Sequence, residues 1–152
     1  MIFRDREAAA RRLTDALAQY RGQNPLVLAI PRGAVPMARI IADELGGEVD
    51  VVLVRKLRAP GNPEFAIGSV DESGWTYLGD YAGRVGGSSQ YIEAEKEAQF
   101  KVMRERRASY TPIRPPHDPA GRIVIVVDDG LATGSTMIAA LHALRAKSPK
   151  KL

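Results

Sequence analysis

The chain has 152 residues, of which 45% are hydrophobic and 26% charged, and its 22 Lys and Arg outnumber 18 Asp and Glu to give a formal charge of +4. This is the balance of one folded globular domain, since a single core serves about 100–200 residues, and a surplus this small argues against a nucleic-acid binder. Cysteine is absent, which excludes disulfides, thiolate metal sites and cysteine nucleophiles and leaves His117 and His142 as the imidazoles, so any metal is expected to be held by oxygen.

No apolar run approaches the ~20 residues of a membrane-spanning helix, and Met1 to Arg6 carries charge where a secretory leader needs an apolar core. A cytoplasmic protein is expected, with no membrane partner. Asp5 can cap a first helix in which Ala9, Leu13, Ala16, Leu17 and Tyr20 recur at helical spacing, ending near Gly22. Leu26 to Ile30 is short, continuous and apolar, the pattern of a strand buried on both faces. After the turn Pro31-Arg32-Gly33, the residues Val35, Ala38, Ile41, Ala42 and Leu45 form the stripe of a second helix, closed by Gly46-Gly47. Val49 to Val54 reads as a second buried strand. Strand, helix and strand with short connections predict parallel pairing and a right-handed crossover, hence a layered α/β sheet.

From Leu57 to Ser89 the chain is rich in Gly, Pro, Asn and Ser and reads as a flexible loop and hairpin insertion. Strands Ala66 to Val70 and Trp75 to Leu78 flank the turn Asp71 to Gly74. A long charged helix follows from Gln90 to Ser109, with Ile92, Ala98, Phe100 and Met103 able to pack, and Thr111 to Pro119 breaks regular structure. Ile123 to Val127 is the third core strand, and a helix carrying Met137, Ala140, Leu141 and Leu144 closes the order. Basic residues cluster at Arg55 to Arg58, Arg104 to Arg107 and Lys147 to Lys151. The last two read as a solvated helix face and a basic end, whereas the first follows an apolar strand and can aim cations at a small phosphorylated ligand.

The chemistry concentrates where the third strand runs into Asp128-Asp129-Gly130-Leu131-Ala132-Thr133-Gly134-Ser135-Thr136 and then a helix. Amides at such a helix start, with the Thr133, Ser135 and Thr136 hydroxyls, suit a phosphate dianion, and Gly134 permits close approach of the backbone. Two adjacent acids would repel that phosphate, so their targets are neutral hydroxyls or a Mg²⁺ ion held by the same ligand. A sugar phosphate satisfies both halves. A Walker A loop needs four residues between its glycines and then Lys, whereas Gly130 and Gly134 enclose three and Ser135 follows. No dinucleotide fingerprint exists.

Val126 to Thr136 resembles the phosphoribosyl pyrophosphate signature of type I phosphoribosyltransferases. The resemblance implies that family's parallel sheet flanked by helices, with a hairpin and long-helix excursion between the second and third core strands. It implies that Asp128 and Asp129 meet the ribose hydroxyls or, directly or through water, a Mg²⁺ ion, and that Gly130 and Ala132 to Thr136 wrap the 5-phosphate. Ile30 to Ala34 is similar to the family's pyrophosphate loop, which often holds a strained or cis peptide. Pro31 and Gly33 would line the ligand there, and Arg32 would face the leaving group. Arg55-Lys56 and the stretch Ala59 to Gly68 resemble a bacterial subgroup of that family, which implies that Arg55 and Lys56 contact pyrophosphate. Glu64 is the weaker candidate for acceptor recognition, and His117 and His142 read as incidental.

The activity so implied is transfer of a phosphoribosyl group from phosphoribosyl pyrophosphate to a small nitrogen acceptor, with Arg32 and Lys56 as the catalytic cations. Ala132 stands where hypoxanthine and guanine enzymes carry an acid, which argues against that substrate pair. The resemblance also implies a further core strand and an acceptor-binding region beyond Leu152, so the chain reads as a truncated member whose open sheet edge would favour a homo-oligomer. The rival readings are a non-catalytic regulatory module for phosphoribosyl pyrophosphate or nucleotides, and a nucleic-acid or assembly protein using Gln90 to Ser109 and the basic tail.

Overall fold

A strand that is apolar on both faces must be covered twice, and β1 (Leu26–Ala29) is buried along its whole length. Val27 and Ala29 pack with α1 (Arg6–Ala16) and α2 (Ala34–Leu45) on one side of the sheet. Leu26 and Leu28 pack on the other against Ala140 and Leu144 of the C-terminal helix Ser135–Arg145. The computed structural model describes residues 2–112 and 114–152. Met1, in the charged N-terminal stretch, and Ile113, in the break at 111–119, lie outside the described residues.

β1 pairs in parallel with β2 (Glu48–Val51) on one edge and with a strand at Val124–Val127 on the other. The class is therefore the expected one, a parallel α/β sheet with helices on both faces. The helix boundaries follow local chemistry. The Asp5 carboxylate accepts from the Ala8 amide to start α1, and Gly46, at φ +70°, ends α2 in the left-handed conformation. Past the last helix, Lys151 forms a parallel bridge to Ile123 on the side of that strand away from β1.

The excursion differs from the expectation. The predicted strand 49–54 is two elements: β2 stops at Val51, and Val54 opens β3 (Val54–Ala59), which leaves the parallel sheet. β3 pairs antiparallel with β4 (Asn62–Asp71), and β4 pairs with β5 (Thr76–Leu78). The segment 57–89, expected as a loop and hairpin insertion, holds the expected β4–β5 hairpin and in addition the end of β3, which makes the insertion a three-stranded sheet with β5 followed by a loop. Pro60-Gly61 supplies the turn, and Pro63, which has no N–H to give a ladder, falls in a register shift beside Arg58 and Ala59. The second turn forms as expected, its Asp71 carboxylate accepting from the amides of Ser73 and Trp75.

α3 (Ser89–Tyr110) is capped by Ser88 and lies on this sheet, burying Met103 with part of Ile92 and Phe100, whereas Ala98 is exposed. The remaining elements, β6 (Val124–Val127) and α4 (Ser135–Arg145), complete the order. Among the described residues no helix is long and apolar enough to cross a membrane.

The two sheets are tied by Arg107 of α3, which was expected on a solvated face. It is mostly buried, donates to Asp50 of β2 at 2.6 Å, and also pairs with Glu72 in the β4–β5 turn. Asp50 further accepts from the His117 amide at 2.9 Å and pairs with Arg114 at 3.3 Å. Burial opposes the charge on Asp50, but the amides of His117 and Val51 and the Arg107 guanidinium outweigh it and hold the carboxyl below its usual range. Its stabilising contribution is therefore complete above the ordinary carboxylate value of about 4 and is lost as pH falls through the lowered one. Asp50→Asn should cost roughly 3 kcal/mol near neutral pH in urea denaturation, because Arg107 and Arg114 lose a buried partner. It should also flatten the loss of stability in acid; an unchanged acid profile would contradict the assignment.

Candidate functional site

β1 and β6 are neighbours, yet the chain leaves them in opposite directions. After β1 it crosses by α2 to β2, and after β6 it crosses by α4, on the other face, toward Lys151. Such a divergence opens a crevice at the carboxyl ends of the strands. Both helices begin there on glycine, Gly33 for α2 and Gly134 for α4, without a side-chain cap, while α1 and α3 are capped by Asp5 and Ser88. Two sets of first-turn amides, each at the positive end of a helix dipole, thus open into one crevice.

At the β6–α4 junction a cavity of about 230 Å³ is lined by Lys56, Asp128 and residues 130–137. Gly134 has φ +77°, the conformation that turns the loop into the helix. Thr133 and Ser135 hydroxyls lie 2.9 Å apart, and the Ser135 amide donates to Thr133 Oγ1 at 3.3 Å. Asp128 Oδ1 accepts the Asp129 amide at 2.8 Å, which leaves Oδ2 available at the cavity. The structure therefore brings together Lys56, Asp128, Gly130, Ala132, Thr133, Gly134, Ser135 and Thr136.

Asp129 is placed differently. Its Oδ2 accepts from Arg6 at 2.7 and 3.0 Å, across 123 residues of sequence, and it does not line this cavity. The same carboxylate lies over Gly33: a Cβ there would stand 2.0 Å from Oδ2. A side chain at position 33 would displace the Asp129 carboxylate from its place beside Arg6. The Arg6 guanidinium holds the Asp129 carboxyl below the usual carboxylate range. One acid faces the phosphate-sized cavity, and the other joins α1 to the Pro31-Arg32-Gly33 loop.

A second cavity, of about 310 Å³, shares Lys56 and Thr136 with the first and runs along Pro31, Arg55, Arg58, Gln99 and Arg106. Arg55 Nε donates to Gln99 at 2.9 Å, and Arg58 pairs with buried Glu95 at 3.1 Å. A regular strand would point residues 55 and 58 to opposite faces; the irregular register at 57–59 lets both reach α3. The Pro31–Arg32 peptide is cis. The Arg32 side chain is exposed and lines a third cavity with Val35, Pro36 and Arg106, whereas Lys56 lines the other two. Glu64 is exposed on β4 and lines none of these cavities; His117 and His142 stand outside them too, beside Glu48 and Tyr77.

Reading the sequence missed Arg6, Glu95, Gln99 and Arg106. A signal existed for three of them: Glu95, Gln99, Met103 and Arg106 repeat at helical spacing, so polar residues share the stripe of a packing Met. Nothing local pointed to Arg6. Among the described residues no three His, Asp or Glu side chains gather to hold a metal by themselves. A hard cation would draw on Asp128 Oδ2 together with oxygens of a bound ligand, which is the way Mg²⁺ is commonly held.

The family profile described as "Phosphoribosyl transferase domain" matches residues 2–152. Two curated proteins of Mycobacterium tuberculosis, from strains H37Rv and CDC 1551, each named "Putative phosphoribosyl transferase", are 37% identical over 152 residues. The match covers 99% of this chain and 34% of each relative, so the chain spans about a third of their length. Among solved structures, the crystal structure of TT1426 from Thermus thermophilus superposes with a TM-score of 0.85 at 48% identity, covering 99% of this chain and 72% of that one.

The Asp129–Arg6 pair is open to direct measurement. Replacing Arg6 with Gln should raise the titration midpoint of the Asp129 carboxyl toward the ordinary value, as followed by carboxyl carbon NMR. An unmoved midpoint would show that the pair does not form in solution.

Proposed function

The chain belongs to the phosphoribosyl transferase domain family, and from that premise we propose that its β1/β6 crevice binds phosphoribosyl pyrophosphate and transfers the phosphoribosyl group to a nitrogen acceptor. The observation that supports this most is the meeting of two uncapped helix starts at one crevice, one of them fused to a hydroxyl-lined cavity beside Asp128. In this reading the 5-phosphate takes the amides of the first turn of α4 and the hydroxyls of Thr133, Ser135 and Thr136. Asp128 accepts from a ribose hydroxyl, and Asp129 keeps Oδ1 free of Arg6 for the neighbouring one. Pyrophosphate lies toward the amides of Arg32 and Gly33 at the start of α2, with Lys56 and Arg55 beside it.

In the reaction, the bond from the anomeric carbon to the pyrophosphate oxygen breaks, and its electron pair leaves with pyrophosphate. The acceptor nitrogen's lone pair forms the new bond, and the nitrogen's proton passes to solvent. Lys56 and Arg55 stabilise the charge that grows on the leaving group, which is catalysis by preorganised electrostatics. Asp128 would help to hold a Mg²⁺ ion brought with the ligand, which would supply charge neutralisation to the leaving group. Ala132 gives the acceptor no acid or base, in keeping with an acceptor other than hypoxanthine or guanine.

A second reading, ligand binding without turnover, draws on the engagement of Asp129 by Arg6. Titration calorimetry with phosphoribosyl pyrophosphate and Mg²⁺ tests the common part. The double variant Asp128→Asn, Asp129→Asn should weaken binding by at least about tenfold, or roughly 1.4 kcal/mol, and equal affinity would remove both readings. Pyrophosphate release in the presence of a panel of nucleobases then chooses between them: turnover with any base supports transfer, and none with all of them supports binding alone.

A further inference from the structure

The wall of the crevice that faces away from α2 and α4 is made by β3 and α3, and its charges are unbalanced. Glu95, Gln99, Met103 and Arg106 succeed one another at i, i+4, i+8 and i+11 on one face of α3. The first three are buried and Arg106 is exposed at the end of the stripe. Glu95 is already engaged, accepting from Arg58 at 3.1 Å, from Gln99 at 2.6 Å and from Tyr91 at 3.2 Å. Gln99, held by Glu95, offers its oxygen to Arg55 Nε. That contact orients the Arg55 guanidinium without neutralising it. Among the described residues, Arg55, Lys56 and Arg106 have no carboxylate within salt-bridge distance, and no acid lines the cavity that they share with Arg58.

Like charges gathered on one concave wall repel one another unless an anion enters, and among them Arg55 is half-buried while Lys56, Arg58 and Arg106 are exposed. Burial, and after it the neighbouring Arg106 and Arg58, make the charged form of Arg55 less favourable than usual, which agrees with that picture. Arg106 also lines the cavity that holds Arg32, so it stands between the two sides of the Pro31–Arg32 loop. The phosphate-sized cavity at the α4 start joins this wall through Lys56 and Thr136. A ligand with one phosphate at α4 and a diphosphate on its other end would extend along it. Guanidinium groups grip phosphoryl oxygens in pairs, and the wall offers two that no carboxylate engages, Arg55 and Arg106.

We propose that Arg106 of α3, together with Arg55 oriented by Gln99, forms an anion subsite that receives the diphosphate end of the ligand. This rests on the reading that the crevice takes a phosphoribosyl ligand. It adds a binding residue from the long helix, 50 positions beyond Lys56 in sequence.

The test is titration calorimetry of the full chain with two separate probes, pyrophosphate and ribose 5-phosphate, on the wild type, Arg106→Ala, Arg106→Lys and Lys101→Ala. Lys101 is an exposed cation on the same helix that lines none of these cavities. Arg106→Ala should weaken pyrophosphate by about tenfold or more and leave ribose 5-phosphate unchanged. Arg106→Lys should restore part of the loss, and Lys101→Ala should alter neither probe. The proposal is overturned if Arg106→Ala binds pyrophosphate like the wild type, or if Lys101→Ala causes the same loss, which would mean a general field and no contact. Wild type that binds ribose 5-phosphate but not pyrophosphate removes the subsite and leaves the crevice reading in place. Wild type that binds neither removes both.

Discussion

The constraint on which the rest depends is that β1 is apolar on both faces and must be covered on both. Val27 and Ala29 require α1 and α2 on one side, and Leu26 and Leu28 require α4 on the other. With α2 and α4 on opposite faces of adjacent parallel strands, both helices begin at the same end of the sheet. Their unpaired amides then open into one crevice. The anion site is therefore a consequence of how the core is covered. Gly33 and Gly134 add the absence of a cap, the room that the Asp129 carboxylate occupies over residue 33, and the left-handed turn at residue 134.

A second theme is the distribution of charge. The carboxylates at the join between the two sheets are engaged: Asp50 and Glu72 by Arg107, Glu95 by Arg58, and Asp71 by Lys147 at 3.0 Å. Among the described residues, Arg55, Lys56 and Arg106 at the crevice have no carboxylate within salt-bridge distance. Of these, Arg55 is half-buried and Lys56 and Arg106 are exposed at the rim. The cations that a nucleic-acid reading would invoke are partly structural, since Arg107 and Lys147 hold elements together.

The pair of acids shows how tertiary contact divides residues that sequence makes equivalent. Asp128 stays at the cavity, holding the Asp129 amide with one oxygen. Asp129 turns over Gly33 to meet Arg6. The first helix, the Pro31-Arg32-Gly33 loop and the β6–α4 loop are fastened at that point, so the two loops that flank the crevice are positioned against each other by an ion pair.

Much of this was legible in the sequence, because local patterns dictate local outcomes. The continuous apolar runs at 26–30 and 123–127 could only be buried strands. The caps at Asp5 and Gly46 and the turn at Asp71 to Gly74 follow from single side chains and backbone preferences, and the stretch Asp128 to Thr136 declares a hydroxyl-lined helix start. The hairpin at Pro60-Gly61 was not legible, since a Pro-rich stretch reads as loop until a register shift is seen to hold Pro63 out of the ladder. Nor was the partner of Asp129, because Arg6 lies 123 residues away and an ion pair leaves no periodic trace. Sequence determined the parallel strands in outline, the helices and the loop that offers itself to an anion, all properties of neighbouring residues. Only the tertiary structure decided which acid faces that loop, where Arg32 goes, and that Arg55, Lys56 and Arg106 share one wall, because those facts depend on elements distant in the chain being packed together.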